Sequence, residues 1–236
     1  MALIVPKRGR VRQKPAGGGG GGVAFEWASN WGYDDAQEIE AAGNTLNGVL
    51  ANTSTGDMLV LALTFDTGAD DTFVWGGITW TTVWDGTMFT APGNFVGYYK
   101  RQAGDTEDPH IDSGVGTTDW RGGSYCIAAF SGVDSYIARS ADAYSSTGMP
   151  DANSLTPGGS PALYVVTAHM DDDQVTFTAP SGYTLATTRS YSNGGYVTSS
   201  AIAYKITTNA TEDPGVWGGG SFTDDNNAFV LAFSAS

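Results

Sequence analysis

Tyr99-Lys100, five residues, then Thr106-Glu107-Asp108-Pro109 is a stretch written twice: it returns as Tyr204-Lys205, five residues, then Thr211-Glu212-Asp213-Pro214. The offset is 105, and three further landmarks follow in the same order at offsets of 103 to 105. Gly56 to Thr64 (GDMLVLALT) answers to Gly159 to Thr167 (GSPALYVVT). Gly77-Ile78-Thr79-Trp80 answers to Gly182-Tyr183-Thr184-Leu185, and Ala128 to Ser131 answers to Leu231 to Ser234. Chance supplies one such match easily, but four colinear matches point to a unit used twice, over about 56–133 and 159–236.

Each unit predicts four strands. In the first they are Met58 to Phe65, Ile78 to Val83, Phe95 to Arg101 and Ser124 to Phe130. In the second they are Leu163 to Met170, Tyr183 to Arg189, Ser199 to Ile206 and Ala228 to Ser234. All are rich in β-branched and aromatic residues and are bounded by Gly, Asp, Asn and Pro. The unbroken apolar run Met58 to Leu63 suits a strand covered on both faces. Val23 to Trp31 adds a leader at a sheet edge. Asp34 to Ala42 is the one short helix candidate, with acids in its first turn and Gly43 after it.

Composition agrees: 33 glycines, 12% aromatics and only 15% charged residues are the balance of an all-β chain with many turns. A four-stranded unit buries one face well, so two units packed face to face share a core. The linker from Val133 to Gly158, with Pro150 and Pro157, is long enough to cross between sheets. The expected fold is one pseudo-symmetric antiparallel β-sandwich over residues 23–236, jelly-roll-like in its wrapping. The single Cys126 excludes an intrachain disulfide and, inside the apolar run Tyr125 to Phe130, reads as a small buried residue.

The first 22 residues differ from everything after them. Met1 to Ala16 carries Lys7, Arg8, Arg10, Arg12 and Lys14 and no acid, and the six glycines Gly17 to Gly22 follow. Outside this arm, 6 Lys+Arg face 25 Asp+Glu. Glycines have no side chain to bury and lose the most backbone entropy on ordering, so the arm orders only against a partner. The cations follow the short apolar run Ala2 to Val5 instead of preceding a longer one, which argues against a signal peptide. No stretch approaches the roughly 20 apolar residues of a membrane span. Nucleic acid is disfavoured as a partner because the acidic body would be repelled by the same polymer. The arm therefore reads as a protein dock, with Leu3, Ile4 and Val5 able to add as a strand to a partner's sheet and the cations beside them.

Five groups of residues invite a site. The pairs Glu107/Asp108 and Glu212/Asp213 resemble the two carboxylates of a glycosidase. Yet neighbours on an extended segment point to opposite sides, and the same pair stands in both units, as a turn would. His110 and His169 lack metal-ligand spacing, and no G-x-S-x-G elbow is present. The clusters Asp66/Asp70/Asp71, Asp171/Asp172/Asp173 and Asp224/Asp225 are oxygen-rich enough for calcium but lack the spaced loop signature, so solvated turns are the preferred reading. Trp80 and Trp84, four apart on a strand, would share a face, as core or as a saccharide platform. Trp27, Trp31 and Tyr33, close to the arm, are candidate interface anchors.

The strand Gly56 to Leu61, the hairpin segments Gly77 to Trp80 and Gly182 to Thr184, Tyr98 to Lys100, Glu212 to Gly215 with Trp217, and Ala129 to Val133 together resemble a known module. It is the β-sandwich that recurs in tailed-phage virion proteins (head fibres, decoration proteins, tail-associated proteins) and in some bacterial surface proteins. The basic arm is similar to the N-terminal anchors by which phage accessory proteins attach to a capsid, neck or tail. The resemblance implies a non-enzymatic virion structural protein, present as a homo-oligomer or in several copies on the particle, with no cofactor. The alternative is a carbohydrate-binding adhesin contacting a host glycan. A third reading, a polysaccharide-cleaving enzyme, requires two carboxylates to converge in a cleft.

Overall fold

The computed structural model describes residues 22–33, 46, 48–65, 75–87, 93–111, 123–171, 174–193, 196–220 and 224–236. The arm residues 1–21 and the helix candidate Asp34 to Ala42 lie outside them. The first half contains β1 (Ala24–Tyr33), α1 (Val49–Asn52), β2 (Met58–Phe65), β3 (Trp75–Gly76), β4 (Thr81–Thr87), β5 (Gly93–Lys100), β6 (His110–Ile111) and β7 (Gly123–Ser131). The second contains β8 (Val133–Arg139), β9 (Ala143–Ser145), β10 (Asp151–Ala152), β11 (Pro161–Asp171), β12 (Thr184–Asn193), β13 (Tyr196–Ile206), β14 (Gly215–Val216) and β15 (Asn226–Ala235). All eight expected strands and the leader are present, with ends moved by a few residues.

The fold is an antiparallel β-sandwich. One sheet runs β1-β7-β2-β5-β4 and the other β12-β13-β11-β15-β8, with β9 also on β15. The orders correspond. In each sheet a central strand (β2, β11) lies between the third and fourth strands of its half, and the second pairs with the third. A further strand then pairs with the fourth: β1 on β7, β8 on β15. The expected linker therefore supplies a sheet edge. The jelly-roll wrapping is not found. In a jelly roll successive strands alternate between sheets, whereas β4–β5 and β12–β13 stay paired side by side. The chain steps from β7 to β8, and so between sheets, at Gly132, whose φ of 69° a side chain would strain.

Alternation on the strands separates three cores. Between the sheets lie Met58, Val60, Ala62, Val96, Ala128 and Phe130 from one side and Leu163, Val165, Ile202, Phe229, Leu231 and Phe233 from the other. The outer face of the first sheet is covered by Leu46, Val49, Ile78 and Trp80 packed on Leu59, Leu61 and Leu63. The outer face of the second is covered by Leu155, Val175, Phe177 and Trp217 packed on Tyr164, Val166 and Val230. This double cover is why every residue of β2 is buried. Burial of side chains this size is worth about 1.5–3 kcal/mol each, so the central strands anchor the sandwich.

Bulges decide which face several aromatics take. The register of β1 slips between Phe25 and Trp27, and that of β4 between Thr82 and Trp84. One extra residue reverses the alternation. Phe25 therefore packs between the sheets and Trp27 on the outer face. Trp80 and Trp84, expected on one face, are likewise split between the outer and inter-sheet cores.

Candidate functional site

The sandwich has two unlike poles. Tyr33 and Phe65 pair with Gly123, and Phe65 and Thr87 pair with Gly93. In the other sheet Met170 pairs with Ser199 and Asn226, and Asn193 with Tyr196. The hydrogen bond between Thr64 and His169 holds these ends together across the sheets. The connecting sequence that leaves this pole carries Asp34, Asp35, Asp66, Asp70, Asp71, Asp172 and Asp173. At the opposite pole the chain enters β1 from Gly22, and Ser236 N donates to Gly132 O at 3.0 Å. A Cβ on Gly132 would stand 2.5 Å from Gly22 O, so the entering chain lies directly against the β7–β8 turn. Gly22 therefore enters the body at the pole opposite the strand ends from which those sequences leave.

Beneath the acidic pole the inter-sheet core turns polar. Thr198 Oγ1 donates to Ser124 Oγ at 3.2 Å, Ser124 Oγ shares a hydrogen bond with Ser200 Oγ at 3.0 Å, and Ser200 Oγ shares one with Thr64 Oγ1 at 2.8 Å. Thr64 Oγ1 meets His169 Nδ1 at 3.0 Å, and His169 Nε2 meets Thr167 Oγ1 at 3.3 Å. Beside it Asn94 Nδ2 donates to Asn227 Oδ1 at 2.7 Å and Trp84 Nε1 to Asn94 Oδ1 at 2.8 Å. His169 is fully buried, and loss of hydration lowers its pKa to about 3, so it stays neutral. Thr64, Ser200 and His169 resemble nucleophile and base, but they are buried, and among the described residues the imidazole nitrogens meet the hydroxyls of Thr64 and Thr167. The arrangement pairs buried polar groups from the two sheets, with Asn227 Nδ2 left without a hydrogen-bond partner among the described residues. Cys126 belongs to the same layer, donating to Ser200 O at 3.3 Å, and burial pushes its thiol up.

The acidic turns sit at the other pole, one on each outer face, as clips for the covering segments. In the first, Asp108 accepts from Gly48 N at 3.0 Å and Leu50 N at 2.6 Å, capping α1, and Pro109 O accepts from Leu46 N at 2.8 Å. Glu107 is exposed. In the second, Glu212 and Leu155 exchange both backbone hydrogen bonds at 2.8 and 3.0 Å. The Glu212 carboxylate is only 4% exposed. It accepts from Lys205 Nζ at 2.8 and 2.9 Å and from Tyr183 OH at 3.3 Å, while Asp213 is exposed. Each pair thus sends one carboxylate to solvent and uses the other in packing, and the two pairs occupy opposite outer faces. They do not converge as a glycosidase requires.

Of the candidate interface aromatics, Trp27 is 2% exposed and lies in the outer core. Trp31 is half-buried against the same core, and Tyr33 is placed by its backbone pairing with Gly123. Trp84 holds Arg139 over its ring at 5.3 Å and Tyr144 edge-on at 5.9 Å. The large hydrophobics exposed among the described residues are Ile206 and Val216, neither of them aromatic. No three His, Cys, Asp or Glu side chains gather among the described residues in a way that could hold a metal ion. Asp66, Asp70, Asp71, Asp172 and Asp173 lie outside those residues. So do Leu3, Ile4, Val5, Lys7, Arg8, Arg10, Arg12 and Lys14.

No protein-family model, curated protein or solved structure matches the chain.

Proposed function

We propose that this chain is a non-enzymatic structural protein of a phage particle, a fibre or decoration protein. Its basic arm anchors it to a capsid, neck or tail protein and its acidic sandwich is displayed outward. The observation that carries the reading is the separation of the poles: Gly22 enters beside Gly132, while the acidic connections leave from the far end. A body held by its arm then presents its acidic pole away from the attachment point. Charge supports the division, since the five arm cations suit an acidic groove and the 25 acids of the chain keep copies of the body apart. Several weak arms on one particle would act by avidity.

The test is a chain lacking residues 1–16, offered to assembling particles beside the full chain. The truncated protein keeps its β-type circular dichroism and its unfolding midpoint but fails to co-purify with particles. Co-purification at the full-length level overturns the reading. A glycan array of host-envelope sugars separates the adhesin alternative, which demands a signal from the body without its arm.

A further inference from the structure

We propose that the second acidic turn is a site of self-catalysed covalent cross-linking, in which Lys205 and Asn209 join through an amide bond with Glu212 as proton shuttle. Two nitrogen donors converge on one oxygen: Glu212 Oε1 accepts from Lys205 Nζ at 2.9 Å and from Asn209 Nδ2 at 2.5 Å. The two nitrogens are therefore no more than 5.4 Å apart. The loop between them is held in place. Tyr164 OH donates to Asn209 O at 2.7 Å, Asn209 N to Thr207 Oγ1 at 3.3 Å, and the Glu212 backbone is paired with Leu155. Tyr183 steadies the other carboxylate oxygen and lies with its ring 5.6 Å from Nζ. An amine, a carboxamide and a sequestered carboxyl thus share one site, as amide exchange requires.

The ammonium of Lys205 is not a nucleophile. Glu212, in contact with Nζ through both oxygens, takes its proton. The freed Nζ attacks Cγ of Asn209, which a turn of that exposed side chain brings to it. The Nζ–Cγ bond forms, the Cγ–Nδ2 bond breaks, and Glu212 passes both the first proton and the one Nζ sheds on becoming an amide nitrogen to the leaving nitrogen, which departs as ammonium. No oxidant, metal or second substrate is consumed. The first unit supplies an internal comparison. The positions 105 residues earlier are Lys100, Gly104 and Glu107. Gly104 has no carboxamide, Glu107 is exposed, and Lys100 turns to Asp134 O at 2.8 Å. The shared turn motif is common to both units, but only the second carries the reacting set. The bond would lock the clip that fastens the Leu155 cover to the sheet.

The experiment is the intact mass of the purified full chain. The proposal expects a species lighter than the sequence mass by one ammonia, about 17 Da. It expects a tryptic peptide in which Lys205 is uncleaved and linked to Asn209. K205R, N209A and E212Q each restore the sequence mass, and N209A, altered at an exposed residue, keeps the wild-type fold. A full chain at its sequence mass after prolonged incubation overturns the proposal. So does a mass loss that persists in K205R, since that identifies a succinimide at an asparagine.

Discussion

Acidification from pH 7 to pH 5 should weaken the sandwich through His169 before most carboxylates titrate. The imidazole is buried among Thr64, Thr167 and Phe229, and its pKa is lowered to about 3, against about 6.5 for the unfolded chain. The sign follows directly. Below pH 6.5 the unfolded chain binds a proton that the folded chain refuses. The stability contribution is complete above that pH and declines as pH falls toward 3. The decline is about 1.4 kcal/mol per pH unit, hence about 2 kcal/mol between pH 7 and pH 5. At a urea slope of about 2–3 kcal/mol/M this moves the unfolding midpoint by a little under 1 M. Asp85 works the other way: loss of hydration raises its pKa to about 6, so acidification favours the folded state there. That term is common to the wild type and to H169N, and cancels in their difference. Urea titrations of both proteins at pH 7, 6 and 5 should show H169N less stable at pH 7, because the hydroxyl chain is cut, but with the histidine slope gone. Equal midpoint shifts in the two proteins would mean that the folded imidazole accepts its proton, and the burial argument would fail.

Other expectations follow from close contacts and from the clips. Ala at Gly93 places a Cβ 2.0 Å from the Phe65 ring, and at Gly32 it lies 2.0 Å from the Tyr191 ring. Either should cost about 1–3 kcal/mol in denaturant titrations, with Gly104, which has open space, as the neutral control. E212Q removes the buried carboxylate on which Lys205, Asn209 and Tyr183 converge and should cost about 1–3 kcal/mol, whereas E107Q, at an exposed position, should leave the midpoint within about 0.5 kcal/mol. D108A removes both acceptors that cap α1 and should lower stability by about 1 kcal/mol, with increased hydrogen exchange at Gly48 and Leu50.

The elements were legible in the sequence because each strand is a run of branched and aromatic residues closed by Gly, Asp or Pro. Facing was less so. An extended run states its period but not where a bulge interrupts it, and the extra residues near Glu26 and Val83 carry no compositional mark. Hence Trp27 reads as an edge residue and proves to be core, and Trp80 and Trp84 read as partners and are divided by a sheet. The repeat shows the same limit. Tyr99 lies on the outer face and Tyr204 between the sheets, although the two tyrosines align in the repeated motif. What the repeat preserves is the turn chemistry that follows, not the face of the strand before it. The polar layer had a signal that was readable: Thr64, Asn94, Ser124, His169, Ser200 and Asn227 all stand at strand ends on the same pole. Their contact emerges only once strand order and sheet packing are known.

That polar layer also bears on how the body would display its far end. An apolar inter-sheet core fixes the sheets only through the fit of its side chains, because hydrophobic attraction has no direction of its own. A chain of hydroxyls and amides adds direction, since each displaced group would be left buried without its partner at about 1–3 kcal/mol. Thr64–His169, Ser124–Ser200 and Asn94–Asn227 each join one sheet to the other. They therefore fix the relative position of the sheets directly beneath the strand ends from which the acidic connections leave. The opposite pole is held differently, by stacked rings such as Tyr98 on Tyr136 at 4.8 Å and Phe25 on Tyr204 at 5.1 Å. Alignment is thus imposed where the body presents its connections, and bulk packing suffices where the arm begins. Replacing Asn94 and Asn227 together by Leu also takes the acceptor from Trp84 Nε1 and should lower stability by about 1–3 kcal/mol. It should broaden the NMR signals of strand ends at the acidic pole while those near Gly132 stay sharp. Uniform broadening, or none, would show that the polar pairs do not set the register.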